Sequence, residues 1–128
     1  MFETHVTEAD KRLLIVAIKE GKRSYYLTAG VTANGDLELA GQDLGGFPIG
    51  DEYEYWYRVA AAERPRVLAL LRHKRQEAGI RVSERDPTDT GFLALLRDLL
   101  RPEGIAASTK FKEWLEAADI PYRFHNHF

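Results

Sequence analysis

The feature that most constrains this fold is a change in hydrophobic periodicity at Ala60. Before Ala60, several short segments carry an apolar side chain at every second position, and after it apolar side chains recur at every third or fourth position. A period of two is typical of strands that bury one face, and a period near 3.6 is typical of helices that bury one stripe. Strands followed by helices predict an α+β fold, with helices packed on one face of a mostly antiparallel sheet.

The alternating segments predict a four- or five-stranded sheet. The first apolar run, 13–18, also fits a helix, because Thr7 and Asp10 could cap one, but the turn-like residues 19–22 favour a strand. Asn34-Gly35 predicts a hairpin with a type I′ turn, in which both central residues have positive φ. The tail alternates again and predicts a last strand that returns to the sheet. The predicted strands cover residues 13–18, 24–33, 36–40, 52–59 and 122–128.

The helical pattern after Ala60 predicts three helices packed on the sheet. Pro65 suits the first turn of the first helix, and Gly79 suits its end. In chain order, the helices run from Ala60 to Gly79, from about Gly91 to Leu100, and from a cap at Ser108 or Thr109 to the break at Ile120-Pro121. We expect loops at 41–50 and 80–90. No stretch resembles a linker, so residues 1–128 are expected to form one domain.

Composition narrows the class of protein. The chain has 128 residues, a net charge of −2 and no cysteine, which allows a real core and excludes disulfides and thiol chemistry. The acidic N-terminus has no apolar segment of the kind found in a signal peptide. The longest apolar run, 13–18, is far shorter than the roughly 20 residues that cross a bilayer. We therefore expect a soluble, cytoplasmic protein with no membrane association.

The glycine-rich loop at 41–50 and the aromatic strand after it form the first candidate binding surface. Tyrosines at every second position predict a buried strand face, and the opposite face is polar except for Trp56, which we expect under a loop or at the sheet edge. The loop lacks both nucleotide-binding fingerprints. The alternative is that it is only a connection whose glycines allow positive φ. The candidate binding residues are Asp43, Asp51, Glu52, Glu54 and Trp56.

Carboxylates interleaved with aromatic rings favour a non-enzymatic protein-binding module as the function. The small size and the acidic aromatic surface indicate an immunity-type protein or another inhibitor that neutralises a partner. The carboxylates would steer a basic partner to the surface, and the aromatic rings would hold it there. We expect no cofactor and no catalytic residue in this protein.

A second hypothesis is nucleic-acid binding through the basic segment 64–85. Residues 34–63 carry a net charge of −6, whereas residues 64–85 carry +5. A basic helix can contact phosphates, and the bases that would do so are Arg64, Arg66, Arg72, Lys74 and Arg75. The chain lacks a helix-turn-helix cadence and an aromatic RNA-binding motif, so a solvated helix face is the favoured interpretation.

A third hypothesis is a small hydrolase or a metal-dependent enzyme. Glu52 and Glu54 lie two residues apart on one strand face, where they could share a cation or change each other's pKa. His125 and His127 also share a face, but a metal site needs a third ligand from another histidine or a carboxylate. Solvated charges on a sheet face explain both pairs more simply.

Four short motifs resemble a small bacterial family of uncharacterised proteins. They are Gly41-Gln42-Asp43-Leu44-Gly45, Tyr53-Glu54-Tyr55-Trp56-Tyr57, Phe111-x-x-Trp114-Leu115 and Ile120-Pro121-Tyr122-x-Phe124. The resemblance covers residues 25–128, and it implies no activity, cofactor or catalytic residue for this chain.

Overall fold

The computed structural model describes residues 11–44, 52–79 and 89–127. Its sheet has five antiparallel strands, and each strand pairs with its neighbours in the chain, in the order β1-β2-β3-β4-β5. The strands are β1 (Lys11–Glu20), β2 (Arg23–Val31), β3 (Leu37–Leu44), β4 (Glu52–Val59) and β5 (Arg123–His127). The predicted α+β class and antiparallel sheet are confirmed, and the ambiguous run at 13–18 belongs to a strand.

The helices form two units, so the prediction of three separate helices is wrong. The first unit is α1 (Arg64–Ala78), which follows a 3₁₀ turn at Ala61–Glu63. The second consists of α2 (Asp89–Leu100), a 3₁₀ segment (Arg101–Ala106) and α3 (Ala107–Ala117), which follow one another without a loop but with a kink at Gly104. Pro102 lies in the first turn of the 3₁₀ segment, where its missing N–H costs no helical hydrogen bond. Gly104 bends the chain with a φ of 58°, so the second unit turns there and continues.

Some helix ends lie where the sequence predicts them and others do not. Pro65 occupies the first turn of α1, and Gly79 ends it in the left-handed conformation with a φ of 68°. Ser108 is not a cap, because α3 begins before it and its side chain is buried. The predicted loop at 80–90 is too long, since α2 begins at Asp89; residues 80–88 lie outside the described ranges. None of the helices in those ranges is long and apolar enough to cross a membrane.

The β2–β3 hairpin forms at the predicted place but with a different turn. The Gly35 N–H donates to the Thr32 carbonyl at 2.8 Å. Gly35 has a φ of 85°, whereas the φ of Asn34 is not positive. A type I′ turn needs positive φ at both central residues, so the predicted turn type is wrong, and a left-handed glycine closes a turn over residues 32–35 instead.

Strand β3 extends into the predicted glycine-rich loop. Residues 41–44 pair with β4, so a loop beginning at Gly41 is wrong; residues 45–50 lie outside the described ranges. A Cβ on Gly41 would come within 2.2 Å of the Tyr55 ring. Gly41 is therefore a strand residue whose missing side chain leaves room for a neighbouring tyrosine.

The sheet has a covered face and an open face. On the covered face, side chains at every second position are buried against the helical units. The completely buried side chains, from both layers, include Leu27, Leu37, Leu39, Val59, Leu71, Leu96, Phe111 and Leu115. Tyr55 and Tyr57 belong to this core, as predicted for the inward tyrosines. The open face is the opposite side of the same strands, and it carries the exposed side chains of Leu14 and Tyr26.

The second helical unit is fastened to the edge strand β1. A bulge at Ile15 shifts the β1–β2 register, so that Ile15 and Val16 are both buried while Leu14 is exposed. Arg101 donates from Nε to the Ile15 carbonyl at 2.6 Å and from Nη2 to the Leu14 carbonyl at 2.8 Å. These two carbonyl groups of the edge strand thereby have partners.

Candidate functional site

The open face contains a groove that the strand register assembles from β2, β3, β4 and β5. One cross-strand row is Tyr26–Gln42–Glu54, and the next is Thr28–Ala40–Trp56–His125. The side chains of these rows line a groove of about 260 Å³. The small side chains of Thr28 and Ala40 lie side by side in the second row, so they form a low floor between the larger Tyr26 and Trp56.

Trp56 is held in place by its neighbours on the open face. The Arg58 guanidinium carbon lies 4.0 Å from the centroid of the Trp56 ring. The His125 ring stacks on Trp56 with centroids 5.2 Å apart and an interplanar angle of 22°. Trp56 lies on β4, between β3 and β5, so the expectation that it lies at the sheet edge is wrong, whereas the alternative of a position under a loop stays a prediction. Side chains from its own strand and from β5 contact it.

Arg58 is itself fixed by a charge cluster of Arg12, Glu38 and Arg58. Glu38 is 5% exposed, and its Oε2 accepts from Arg58 Nε at 2.6 Å. Its Oε1 accepts from Arg12 Nη2. Gly30 lies between Arg12 and Glu38 in the sheet register, and because it has no side chain, Arg12 can reach across it. The two arginines satisfy the buried carboxylate, and Arg58 is thereby positioned over Trp56.

Glu54 is the carboxylate of the groove. It is half-buried, and among the side chains that the structure describes none is an ion-pair or hydrogen-bond partner for it. Glu38 and Asp43, by contrast, are both paired with arginine. The residue opposite Glu54 on β5 is His127, whose side chain the structure does not describe. On β4, Glu54 is therefore the described carboxylate without a described partner, and a half-buried carboxylate gains a hydrogen bond from a cationic ligand that reaches it.

Of the three predicted binding residues whose side chains the structure describes, it brings two together. Glu54 and Trp56 both line the groove. Asp43 lies on the covered face, where its two carboxylate oxygens accept from Arg23 Nε at 3.1 Å and Nη2 at 2.7 Å. Asp51 and the side chain of Glu52 lie outside what the structure describes. Asp43 does not join the surface because it is a strand residue, and the alternation of the strand points it inward.

The open face is not acidic in the part of the chain that the structure describes. Its charged side chains, as the register places them, are Arg12, Lys19, Arg58 and Arg123 against Glu38 and Glu54. Asp51 and the side chain of Glu52 are not among these residues, so the acidic aromatic surface expected from the sequence stays a prediction. The described residues of the acidic block do not form one patch, because alternate strand residues point to opposite faces of the sheet.

The groove also contains residues that were not among the predicted binding residues, notably Tyr26 and His125. Alternation alone places Tyr26 opposite the core, and it places His125 on the outer face of the last strand. The sequence does not give the cross-strand register, which brings these side chains to Trp56 and Glu54. Alternation therefore indicates the faces on which Tyr26 and His125 lie, but it does not indicate that they lie beside Trp56 and Glu54.

The covered face has a polar feature of its own, a chain of hydroxyl groups. The Tyr25 and Tyr55 hydroxyls are 3.0 Å apart, and Tyr55 donates to Ser108 Oγ at 2.8 Å. Burial raises the pKa of Tyr55. These hydroxyls line a cleft of about 230 Å³ whose rim includes the exposed Ile105 and Phe124. Because these hydroxyl groups hydrogen-bond to one another, they satisfy each other as buried polar groups.

The basic residues of α1 make contacts within the protein. Arg64 lies 5.2 Å from the centroid of Phe92, and Arg75 is buried at 9% exposure. Arg66 donates to Glu63 and to two backbone carbonyls. Lys74 lies near Glu77 and the Trp114 ring, and Arg72 also interacts within the protein. A helix whose bases are used in this way is a weaker candidate for phosphate binding than its charge suggests.

The histidines do not form a metal site in the described part of the chain. Within residues 11–44, 52–79 and 89–127 no group of three or more His, Asp or Glu residues could hold a metal ion. His125 stacks on Trp56, and the side chain of His127 lies outside the description. The hypothesis of a metal-dependent enzyme therefore gains no support from the described residues.

Comparisons of the chain with protein-family models, with curated proteins and with solved structures find no match. The resemblance of the four motifs to a bacterial family therefore stays a prediction. The open face itself has the features that bear on function: a held tryptophan, a groove, and a carboxylate without a partner among the described side chains.

Proposed function

We propose that the protein is a non-enzymatic binding module that captures another protein on the open face of its sheet. In this proposal it acts in the cytoplasm as an immunity-type protein or another inhibitor, by covering a surface that its partner needs. The observation that carries the proposal is Trp56, which is half-buried and held between Arg58 and His125 at the edge of a groove.

A fixed tryptophan on an open sheet face supports protein binding for an energetic reason. Tryptophan, tyrosine and arginine are the residues that most often dominate the binding energy of protein interfaces. A side chain already held in one orientation loses little conformational entropy when a partner arrives. Trp56, Tyr26 and Arg58 supply one residue of each type on this face.

The test is capture of the partner from a lysate, followed by measured binding. The immobilised protein is compared with Trp56→Ala and Tyr26→Ala, and the captured protein is identified by mass spectrometry and purified. We expect Trp56→Ala to weaken binding of the purified partner about 30-fold, which corresponds to a loss of about 2 kcal/mol at an interface hot spot.

The matched control is Trp114→Phe, because Trp114 is the second tryptophan and lies on α3 beside Lys74. It should leave the affinity unchanged. Circular dichroism and thermal unfolding show whether each variant is folded. If a folded Trp56→Ala protein and a folded Tyr26→Ala protein bind the partner as tightly as the unchanged protein, the open face is not the binding surface.

A further inference from the structure

We infer that the groove receives one basic side chain, lysine or arginine, from the partner protein, with its cationic group at Glu54 and its methylene stem between Tyr26 and Trp56. The inference rests on the proposed function and names the chemistry of the partner at that surface. It follows from the charge, the size and the walls of the groove.

The charge of the groove comes from Glu54. Three other carboxylates on the sheet and its turns have partners: Glu38 with Arg12 and Arg58, Asp43 with Arg23, and Asp36 with the Ala61 N–H. Glu54 has none among the described side chains, although it is half-buried. A cation that reaches Glu54 gains a charge-assisted hydrogen bond and restores what the carboxylate loses by burial.

The excess of bases elsewhere on the open face does not cancel this attraction. Arg12 and Arg58 share Glu38, and Arg123 lies 3.8 Å from Asp36. Arg58 is four residues along β4 from Glu54, which corresponds to about 13 Å at the rise of an extended strand. Charges on a solvated surface at that separation are largely screened, since the Debye length is about 8 Å at physiological ionic strength.

The size of the groove suits a single side chain. Its volume of about 260 Å³ is below the range of roughly 300–1,000 Å³ that is usual for sites of drug-sized molecules. A single long side chain of an extended segment suits such a space. The open sheet face gives that segment room to lie along the strands beside the groove.

The walls suit the aliphatic stem of a lysine or arginine. Tyr26 and Trp56 provide aromatic surface, and Thr28, Ala40 and Gln42 also line the groove. Lysine and arginine place their methylene groups on apolar surface and their charge at its polar end. The aromatic rings also attract a cation that lies over their faces. An acidic or a purely apolar side chain would use only part of these features.

The test uses fluorescence of a single tryptophan. Trp114→Phe leaves Trp56 as the only tryptophan of the chain, so the emission reports on the groove. The probes are the peptide acetyl-Thr-Val-Lys-Val-Thr-amide and the same peptide with norleucine in place of lysine, which keeps the stem and removes the charge. We expect the lysine peptide to bind about 10-fold more tightly than the norleucine peptide.

Glu54→Gln in the same background should lower the affinity for the lysine peptide about 10-fold and leave that for the norleucine peptide unchanged. Glu113→Gln is the matched control, because Glu113 is an exposed glutamate on α3 beside Lys110, and it should change neither affinity. Equal binding of the two peptides, or the same lysine-peptide affinity in Glu54→Gln, would overturn the inference.

Two further measurements separate other occupants of the groove. Binding of oligothymidylate that weakens steeply with salt and strengthens in Glu54→Gln would indicate a nucleic-acid platform and overturn the inference. A change in Trp56 emission with protein concentration alone would indicate that a second copy fills the groove, with the same consequence. If the Trp56→Ala protein no longer binds the captured partner and the Glu54→Gln protein still binds it, the proposed function stands and the inference of a basic side chain in the groove is wrong.

Discussion

The two faces of β4 differ in how their polar groups are satisfied. On the covered face, Tyr55 donates to Ser108 and contacts the Tyr25 hydroxyl, so its polar atom has partners within the core. On the open face of the same strand, Glu54 has no partner among the described side chains. A strand can thus present a completed interior on one side and, on the other, a carboxylate beside a paired arginine for which the described residues supply no partner, and binding is expected at that carboxylate.

The faces also differ in how tightly their shapes are fixed. On the covered face a single added Cβ at Gly41 would collide with the Tyr55 ring. On the open face, the neighbouring Ala40 leaves a low floor between larger side chains. Close packing explains the first arrangement, since interiors have no room for an extra methyl group. The second is the shape of a surface that another molecule can fill.

The largest expected effect tests the covered face against the open face. Phe111 is completely buried, so Phe111→Ala should lower the free energy of unfolding by about 3–5 kcal/mol. Trp56→Ala removes a half-buried ring with one cation–π contact and should cost about 1 kcal/mol. Urea unfolding of both variants measures the difference. Equal losses of the free energy of unfolding would mean that Trp56 on the open face stabilises the fold as much as Phe111 in the core does.

A smaller effect tests pairing within the open face. Glu38→Ala leaves Arg12 and Arg58 facing each other without their carboxylate. Breaking a fully buried pair costs about 3–5 kcal/mol, but these arginine side chains are 27% and 35% exposed, so we expect a loss of about 1–3 kcal/mol. Thermal unfolding measures it, with the exposed Glu113→Ala as control. An unchanged stability would show that the cluster does not hold Arg58 in place.

The hydroxyl chain of the covered face predicts a dependence on alkaline pH. Burial raises the pKa of Tyr55 above its usual value of 10.0, and burial also raises the pKa of Tyr57. Below pH 10 both are neutral whether the protein is folded or unfolded. As the pH rises above 10, tyrosines ionise first in the unfolded chain, so the free energy of unfolding should fall.

Tyr55→Phe checks that origin. At pH 7 it should cost about 1 kcal/mol, because the hydrogen bond to Ser108 is lost. Above pH 10 the variant should lose stability less steeply than the unchanged protein. Urea unfolding at pH 7 and at several values above 10 measures both effects, and Tyr26→Phe on the open face controls for the substitution at pH 7. Parallel curves for the two proteins above pH 10 would contradict a contribution from Tyr55.

Periodicity predicts much of this fold because it depends on local sequence. The alternation of Tyr53, Tyr55 and Tyr57 gives their shared inward face, and the apolar run at 13–18 gives part of β1. Local signals fail where a tertiary contact decides. Gly41 was expected in a loop, but it lies in a strand, where the Tyr55 ring occupies the space that a side chain at Gly41 would fill.

The candidate site was only partly predictable for the same reason. Glu54 and Trp56 lie close in sequence and share a face, so alternation finds them. Asp43 was grouped with them because it is acidic and near in sequence, whereas its position in β3 turns it toward Arg23 on the covered face. Tyr26 joins the groove through register across β3. Composition and local spacing predict neither the pairing of Asp43 with a distant arginine nor the cross-strand register.

The smallest expected effect on stability separates a binding carboxylate from a structural one. Glu54 has no described partner to lose, and replacing it with the neutral glutamine removes the cost of a half-buried charge. Glu54→Gln should therefore change the free energy of unfolding by about 0.5 kcal/mol or less, in the stabilising direction. Urea unfolding measures this, with Glu113→Gln as control. A loss above about 1 kcal/mol would mean that Glu54 supports the fold, whereas unchanged stability with weaker partner binding is the signature of a residue kept for recognition.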